Sequence, residues 1–184
     1  MDQKRIHDPY LAFRYASFRL FAVSYCLAVI GSQVLAATVQ WDVYQQTKDP
    51  FAIGVIGLIG AIPVMLLALP AGHVADTFSR RQVLLLTQIP LTAAPALLGT
   101  LHLWYPHEVS LPVTYSVLAV NALALTFARP ARASILPNLV PRVAYPNAFA
   151  WLASLYETAA WIGPAIAGAL IVLGVSWSYL ISAM

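Results

Sequence analysis

Glu157 is the sharpest chemical signal in the chain. It stands about ten residues into an apolar run from about Asn147 to Val175, which at ~1.5 Å per residue is ~15 Å deep in a hydrocarbon core ~30 Å thick. A bare carboxylate at that depth is costly, so such groups face a cavity, pair with a partner or bind a proton. Helical spacing sets Glu157, Ala160, Pro164, Ala167 and Gly168 broadly on one face, which predicts an inward aspect. The residue therefore reads as a site for a proton or a cationic ligand; the alternative is a buried structural acid hydrogen-bonded to Tyr, Thr or Asn.

A second concentration of charge is Gly72-His73-Val74-Ala75-Asp76-Thr77-Phe78-Ser79-Arg80-Arg81. A carboxylate at a helix end beside guanidinium groups can pair with a neighbouring loop or with the positive end of another helix. Breaking such a pair frees one helix from its neighbour, as a gate requires. The alternative is topological: Arg80 and Arg81 hold the loop on one side of a membrane and Asp76 offsets them. Asp42 reads as a hydrated helix-end residue. His73 and His102 stand apart from other plausible metal ligands, so solvation or a single hydrogen bond accounts for them. His107 and Glu108 belong to a solvated turn. Gln33 and Asn121 lie inside apolar runs, where amides join helices or line a path.

The elements that must position these groups are membrane helices. Of the 184 residues, 60% are hydrophobic and 9% charged, and the mean hydropathy is +0.75. That composition excludes a water-soluble domain, which needs roughly 25% charged residues. Spans are expected over about Phe18 to Val43, Phe51 to Val74, Gln82 to Trp104, Val109 to Ala128 and Asn147 to Val175, and a sixth run opens at Ser176. Gly54, Gly57, Gly60 and Ala61 form a small-residue stripe of the kind that lets helices pack closely. Pro63, Pro70, Pro90, Pro95 and Pro164 fall inside spans and tend to bend them.

Basic residues next to spans are retained in the cytoplasm. Of the ten Lys and Arg, only Lys48 lies in an opposite loop; Lys4, Arg5, Arg14, Arg19, Arg80, Arg81, Arg129, Arg132 and Arg142 share the side of the amino terminus. The amino terminus is thus expected in the cytoplasm, with Trp41, Tyr44, Trp104, Tyr105, Trp177 and Tyr179 in a belt at the outer interface. The basic residues are scattered between apolar runs rather than gathered in a stripe, which argues against nucleic acid as a partner. The single cysteine, Cys26, excludes a disulfide scaffold and reads as packing. The sequence has no Gly-x-x-x-x-Gly-Lys-Ser/Thr phosphate loop, no Gly-x-Ser-x-Gly turn and no His-Glu-x-x-His helix, so ATP use and enzyme readings lose support. No cofactor is expected, and no metal.

Gly72, Asp76, Arg80 and Arg81 match the loop motif Gly-x-x-x-Asp-Arg-x-x-Arg-Arg between the second and third spans of the major facilitator superfamily, which the chain resembles. Thr77 stands where that motif usually has an arginine, and Ser79 where it often has a glycine. Trp41-Asp42-Val43-Tyr44-Gln45-Gln46-Thr47, with Pro50 and Gly54 after it, and the segment Arg129 to Pro141 are similar to bacterial efflux members such as macrolide and enterobactin exporters. Gly163-Pro164-Ala165-Ile166-Ala167-Gly168 resembles the Gly-Pro motif of drug:proton antiporters, and implies a tightly packing helix at Gly163, Pro164 and Gly168. Relatives often carry an arginine near the position of Ala160, which is absent here.

The resemblance implies an all-α membrane protein that forms the amino-terminal half of a major facilitator fold: five full transmembrane helices and the start of a sixth. Residues 1–17 are expected to be a cytoplasmic segment and 18–184 a helical half-domain whose carboxy-terminal counterpart is absent. It implies proton-coupled, alternating-access efflux of a hydrophobic or amphipathic small molecule of the drug, macrolide or siderophore class. The membrane would be the bacterial inner (plasma) membrane. Partners would be cargo, protons, lipid and the missing half, with Glu157 as the proton or cargo site and Gly72, Asp76, Arg80 and Arg81 as the gate. Lysophospholipid transport and a non-transporting scaffold are the alternatives.

Overall fold

The computed structural model describes residues 8–105 and 109–183. Lys4, Arg5, Pro106, His107, Glu108 and Met184 lie outside them. All regular structure among the described residues is helical: α1 Ala16–Thr47, α2 Pro50–Thr77, α3 Arg80–Trp104, α4 Leu111–Ala133, α5 Tyr145–Leu173 and α6 Val175–Ser182. Short 3-10 turns cover Leu11–Arg14, Leu136–Asn138 and Arg142–Ala144. The first five helices are long and apolar enough to cross a membrane.

Local chemistry sets the connections. α1 ends at Lys48, in the left-handed conformation, and its N–H donates to the Tyr44 carbonyl at 2.8 Å. Asp49 then caps α2, its Oδ1 accepting from the Phe51 N–H at 2.9 Å, with Pro50 in the first turn, where its missing donor costs nothing. Only Phe78 and Ser79 separate α2 from α3. Ser79 Oγ accepts from the Gln82 N–H and donates to Gln82 Oε1 at 2.6 Å, in the spacing of a capping box. Gly174, at φ +134°, turns α5 directly into α6.

α1 packs on α5, α2 on α4, and α3 against both α4 and α6. Exchanging α1–α3 with α4–α6 turns the first pairing into the second and leaves the α3–α6 pairing in place, the pattern of two related three-helix units. At the end of the bundle where α1 begins, Ala12, Phe18, Ala22, Leu136, Val140, Ala144 and Ala148 form a buried cluster. The chain before α1 is tied into it. Ala12 N–H donates to Asn147 Oδ1 at 2.9 Å, while Asn147 Nδ2 and Trp151 Nε1 both donate to the Pro9 carbonyl at 2.7 Å. At the far end a second cluster gathers Leu35, Val39, Val43, Ala52, Leu98, Val109 and Tyr179.

The outer surface carries exposed Leu20, Met65, Leu69, Trp161 and Val172, which suits lipid as solvent. The small stripe of α2 packs nothing within the described chain: Gly54, Gly57, Gly60 and Ala61 are exposed, and a Cβ added at any of the three glycines would meet no atom within 4 Å. Close approach occurs instead at isolated glycines. A Cβ on Gly31 would lie 2.9 Å from the Ser182 carbonyl oxygen, and one on Gly99 2.8 Å from Leu180 Cγ. Tyr179 differs from the expected belt position. It is fully buried, because the opening turns of α6 are covered by α1 and α3, whereas Trp104 and Trp177 are exposed.

Candidate functional site

Asp76 lies in the last turn of α2, and Arg80 and Arg81 open α3, so the two-residue connection brings the three to one corner at the end where α1 begins. All are exposed, and Gly72 is half-buried. No ion pair joins Asp76 to either arginine among the described residues, whose ion pairs are Arg14–Asp8 and His102–Asp42. A helix carries partial negative charge at its carboxyl end and partial positive charge at its amino end, so each of these charges sits at the end that disfavours it. The corner thus presents three exposed charges that no ion pair among the described residues ties down.

Of the α5 face that spacing predicts, only Ala167 is buried, and the inward side of the helix runs instead along Ala159, Gly163 and Ala167. Ala159, Gly163 and Ala167 are buried, and a Cβ on Gly163 would fall 2.4 Å from Gln33 Cβ, so α1 and α5 touch there. Glu157, Trp161, Pro164 and Gly168 lie on the exposed side, with Ser154 and Thr158 flanking the carboxylate; Ala160 is half-buried. Glu157 differs in its setting from the predicted inward aspect and from a buried structural acid. It is not turned into the helical body, and none of the described residues hydrogen-bonds to it. The reason is that α5 covers α1 with its small residues and leaves its polar flank outside the bundle.

A cavity of about 480 Å³ lies among α1, α3, α4 and the last turn of α6; Tyr25, Gln88, Asn121 and Arg132 supply polar groups to its wall. Asn121 is thereby placed inward, while Gln33 packs against Gly163.

The densest polar site is one that the sequence reading passed over. Asp42 is 7% exposed, not a hydrated helix end. Its Oδ2 lies 3.0 Å from His102 Nε2 and accepts from the Tyr179 hydroxyl at 2.9 Å, while Oδ1 accepts from Gln46 Nε2 at 3.2 Å. His102 Nδ1 lies 2.9 Å from the Leu98 carbonyl, and its ring centroid is 5.1 Å from that of Tyr179. His102 therefore makes more than a single hydrogen bond. The site ties α1, α3 and α6 together at the far end. Depth from the start of the span did place Asp42 near an interface, but the covering of that position by α6 depends on a partner 137 residues away. No group of three or more His, Cys, Asp or Glu among the described residues could hold a metal ion.

A family model described as "Transmembrane secretion effector" matches residues 7–184, nearly the whole chain. The chain belongs to this family, a branch of the major facilitator superfamily. It is similar to the "Staphyloferrin A transporter" of Staphylococcus aureus (strain NCTC 8325 / PS 47), with 23% identity over 154 residues, 83% of this chain and 38% of that relative. The chain thus spans well under half of the relative it matches. No solved structure matches it. Membership in this family, together with five helices long and apolar enough to cross a bilayer, makes this a multi-pass membrane protein.

Proposed function

We propose that this chain is one helical body of a proton-coupled exporter that moves a hydrophobic or amphipathic small molecule out of a bacterial cell. A second helical body would close the other side of the cargo path. The setting of Glu157 carries the reading. A carboxylate in the middle of a span, on a face that the rest of the chain leaves open, is untenable against hydrocarbon. A second protein wall would turn that face into a water-accessible path, and Glu157 would bind a proton or a cationic part of cargo there. The 38% coverage of the staphyloferrin A transporter fits a chain that works with further helices, and that relative's name favours the siderophore class of cargo.

In this reading Asp76, Arg80 and Arg81, with Gly72 easing the approach, pair with the second body and form the gate. Gly163 holds α5 on α1 so that Pro164, Gly168 and Glu157 face the path. The amino terminus lies in the cytoplasm of a cell whose inner membrane holds the protein. The gathering of Arg14, Arg19, Arg80, Arg81, Arg129, Arg132 and Arg142 at one end of the bundle supports that orientation.

The test is export by the full gene product in cells and in inverted vesicles. Glu157→Gln should insert normally and lose proton-coupled export, Glu157→Asp should retain part of it, and residues 1–184 expressed alone should export nothing. Unchanged export by Glu157→Gln would leave the reading of a membrane scaffold in its place.

A further inference from the structure

The bonds around Asp42 and His102 have a consequence that needs only proton counting. A carbonyl oxygen accepts and never donates, so the Nδ1 facing Leu98 carries a hydrogen. On the other side of the ring, Nε2 lies 3.0 Å from Asp42 Oδ2. A carboxylate accepts only, and so does a bare Nε2. Contact at hydrogen-bond distance thus requires one proton between them, on either the imidazole or the carboxyl group. Because Oδ2 also accepts from Tyr179, the arrangement fits a carboxylate beside a doubly protonated ring. Without that proton, two lone pairs would face each other at 3.0 Å inside a buried site, and the link would open.

We propose that the Asp42–His102 pair is a proton-binding site whose occupancy fastens α6 to α1 and α3 at the far end of the bundle. The elements packed around it bring few other ionisable groups. α1 brings Asp42, α6 brings Tyr179, and α4 brings Tyr115, whose hydroxyl donates to the Ala52 carbonyl at 3.3 Å. α2 contributes Ala52 and Ile56, which do not titrate. Lys48 is engaged with Gln45 and lies over the Tyr44 ring, and Asp49 caps α2. Among the described residues packed around it, the element that titrates in the range of an imidazole is therefore the pair itself.

α6 is suited to respond. It is joined to α5 through Gly174 and held sideways by contacts at Gly31 and Gly99 and by Tyr179. The proton belongs to the docked arrangement, so docking is favoured at low pH and weakens as pH rises and the proton leaves. This reading concerns the far end alone and stands whether or not Glu157 couples protons to export.

The experiment places spin labels at positions 20 on α1 and 177 on α6, in a Cys26→Ser background of the 184-residue chain in lipid nanodiscs, with no cargo. Distances are read from about pH 5 to about pH 9, the range in which an imidazole changes charge. A control pair at positions 23 and 156 reports α1 against α5. The expected result is one narrow 20–177 distance at the acidic end that shifts and broadens toward the alkaline end, with the control pair fixed. Asp42→Asn should abolish the pH response and stay docked throughout, because its Nδ2 can donate to both a neutral His102 Nε2 and the Tyr179 oxygen while Oδ1 still accepts from Gln46. Asp42→Ala should lose the narrow distance at every pH. A wild-type distance that does not change with pH, an equal change in the control pair, or an Asp42→Asn response like the wild type would overturn the proposal. None of these outcomes depends on export.

Discussion

α2 and α6 meet the bundle in opposite ways. α2 has 28 residues and the most apolar span, yet it buries only Ala52, Pro63, Ala71 and Ala75. Its glycine stripe touches nothing. α6, over Val175–Ser182, fully buries Ser178 and Tyr179. Two glycines on other helices bring backbone against it, and a tyrosine ties it to a buried acid. Apolar content does not hold one helix to another in lipid, because the solvent is equally apolar. Shape at close approach and the satisfaction of polar groups do.

The sharpest way to break this contrast is at Asp42. Asp42→Ala leaves His102, Tyr179 and Gln46 without their common partner, and removing one side of a buried pair costs about 3–5 kcal/mol. Interhelical hydrogen bonds in membranes are worth less, near ~1 kcal/mol, so Tyr179→Phe should cost about that much. The order Asp42→Ala, then Tyr179→Phe, is measurable as shifts in the unfolding midpoint in detergent titrations. Equal and negligible shifts would remove the polar site as the fastening of α6.

Gly163→Leu should fall between those two. The added Cβ would sit 2.4 Å from Gln33 Cβ and 3.4 Å from its backbone, so α1 and α5 must part, at about 1–3 kcal/mol for overpacking. Gly99→Ala meets Leu180 Cγ at 2.8 Å and its backbone nitrogen at 3.1 Å, but adds one methyl group where Gly163→Leu adds a whole side chain, and should cost less in the same titration.

These sites mark the limit of what one sequence displays. Five spans were legible because lipid demands about 20 apolar residues per crossing, and no neighbour alters that rule. The turn into α3 was legible too, in Ser79 and Gln82, although the reading took Ser79 only as a replaced glycine. Asp42 and His102 were not. A lone acid and a lone histidine look hydrated until α1, α3 and α6 converge, and that convergence depends on which face each helix turns inward. The surroundings of the α2 stripe were not legible for the same reason: spacing shows that small residues share a face, not what the face meets.

That stripe supplies the smallest expected effect and the finest test of the comparison. Gly57 lies on an open face, so Gly57→Ala meets no atom within 4 Å and removes a residue that disfavours helix by up to ~1 kcal/mol. The stability of this chain should stay level or rise slightly. Gly57→Leu adds bulk to the same open face and should also leave the unfolding midpoint unchanged. The two substitutions separate in the full gene product. If the open face of α2 receives another helix during transport, Leu at position 57 blocks the approach and lowers export while Ala does not, with both proteins equally stable. Equal export by the two variants assigns the face to lipid, and a stability loss in Gly57→Ala would mean that α2 is packed as α6 is, by contacts its glycines make.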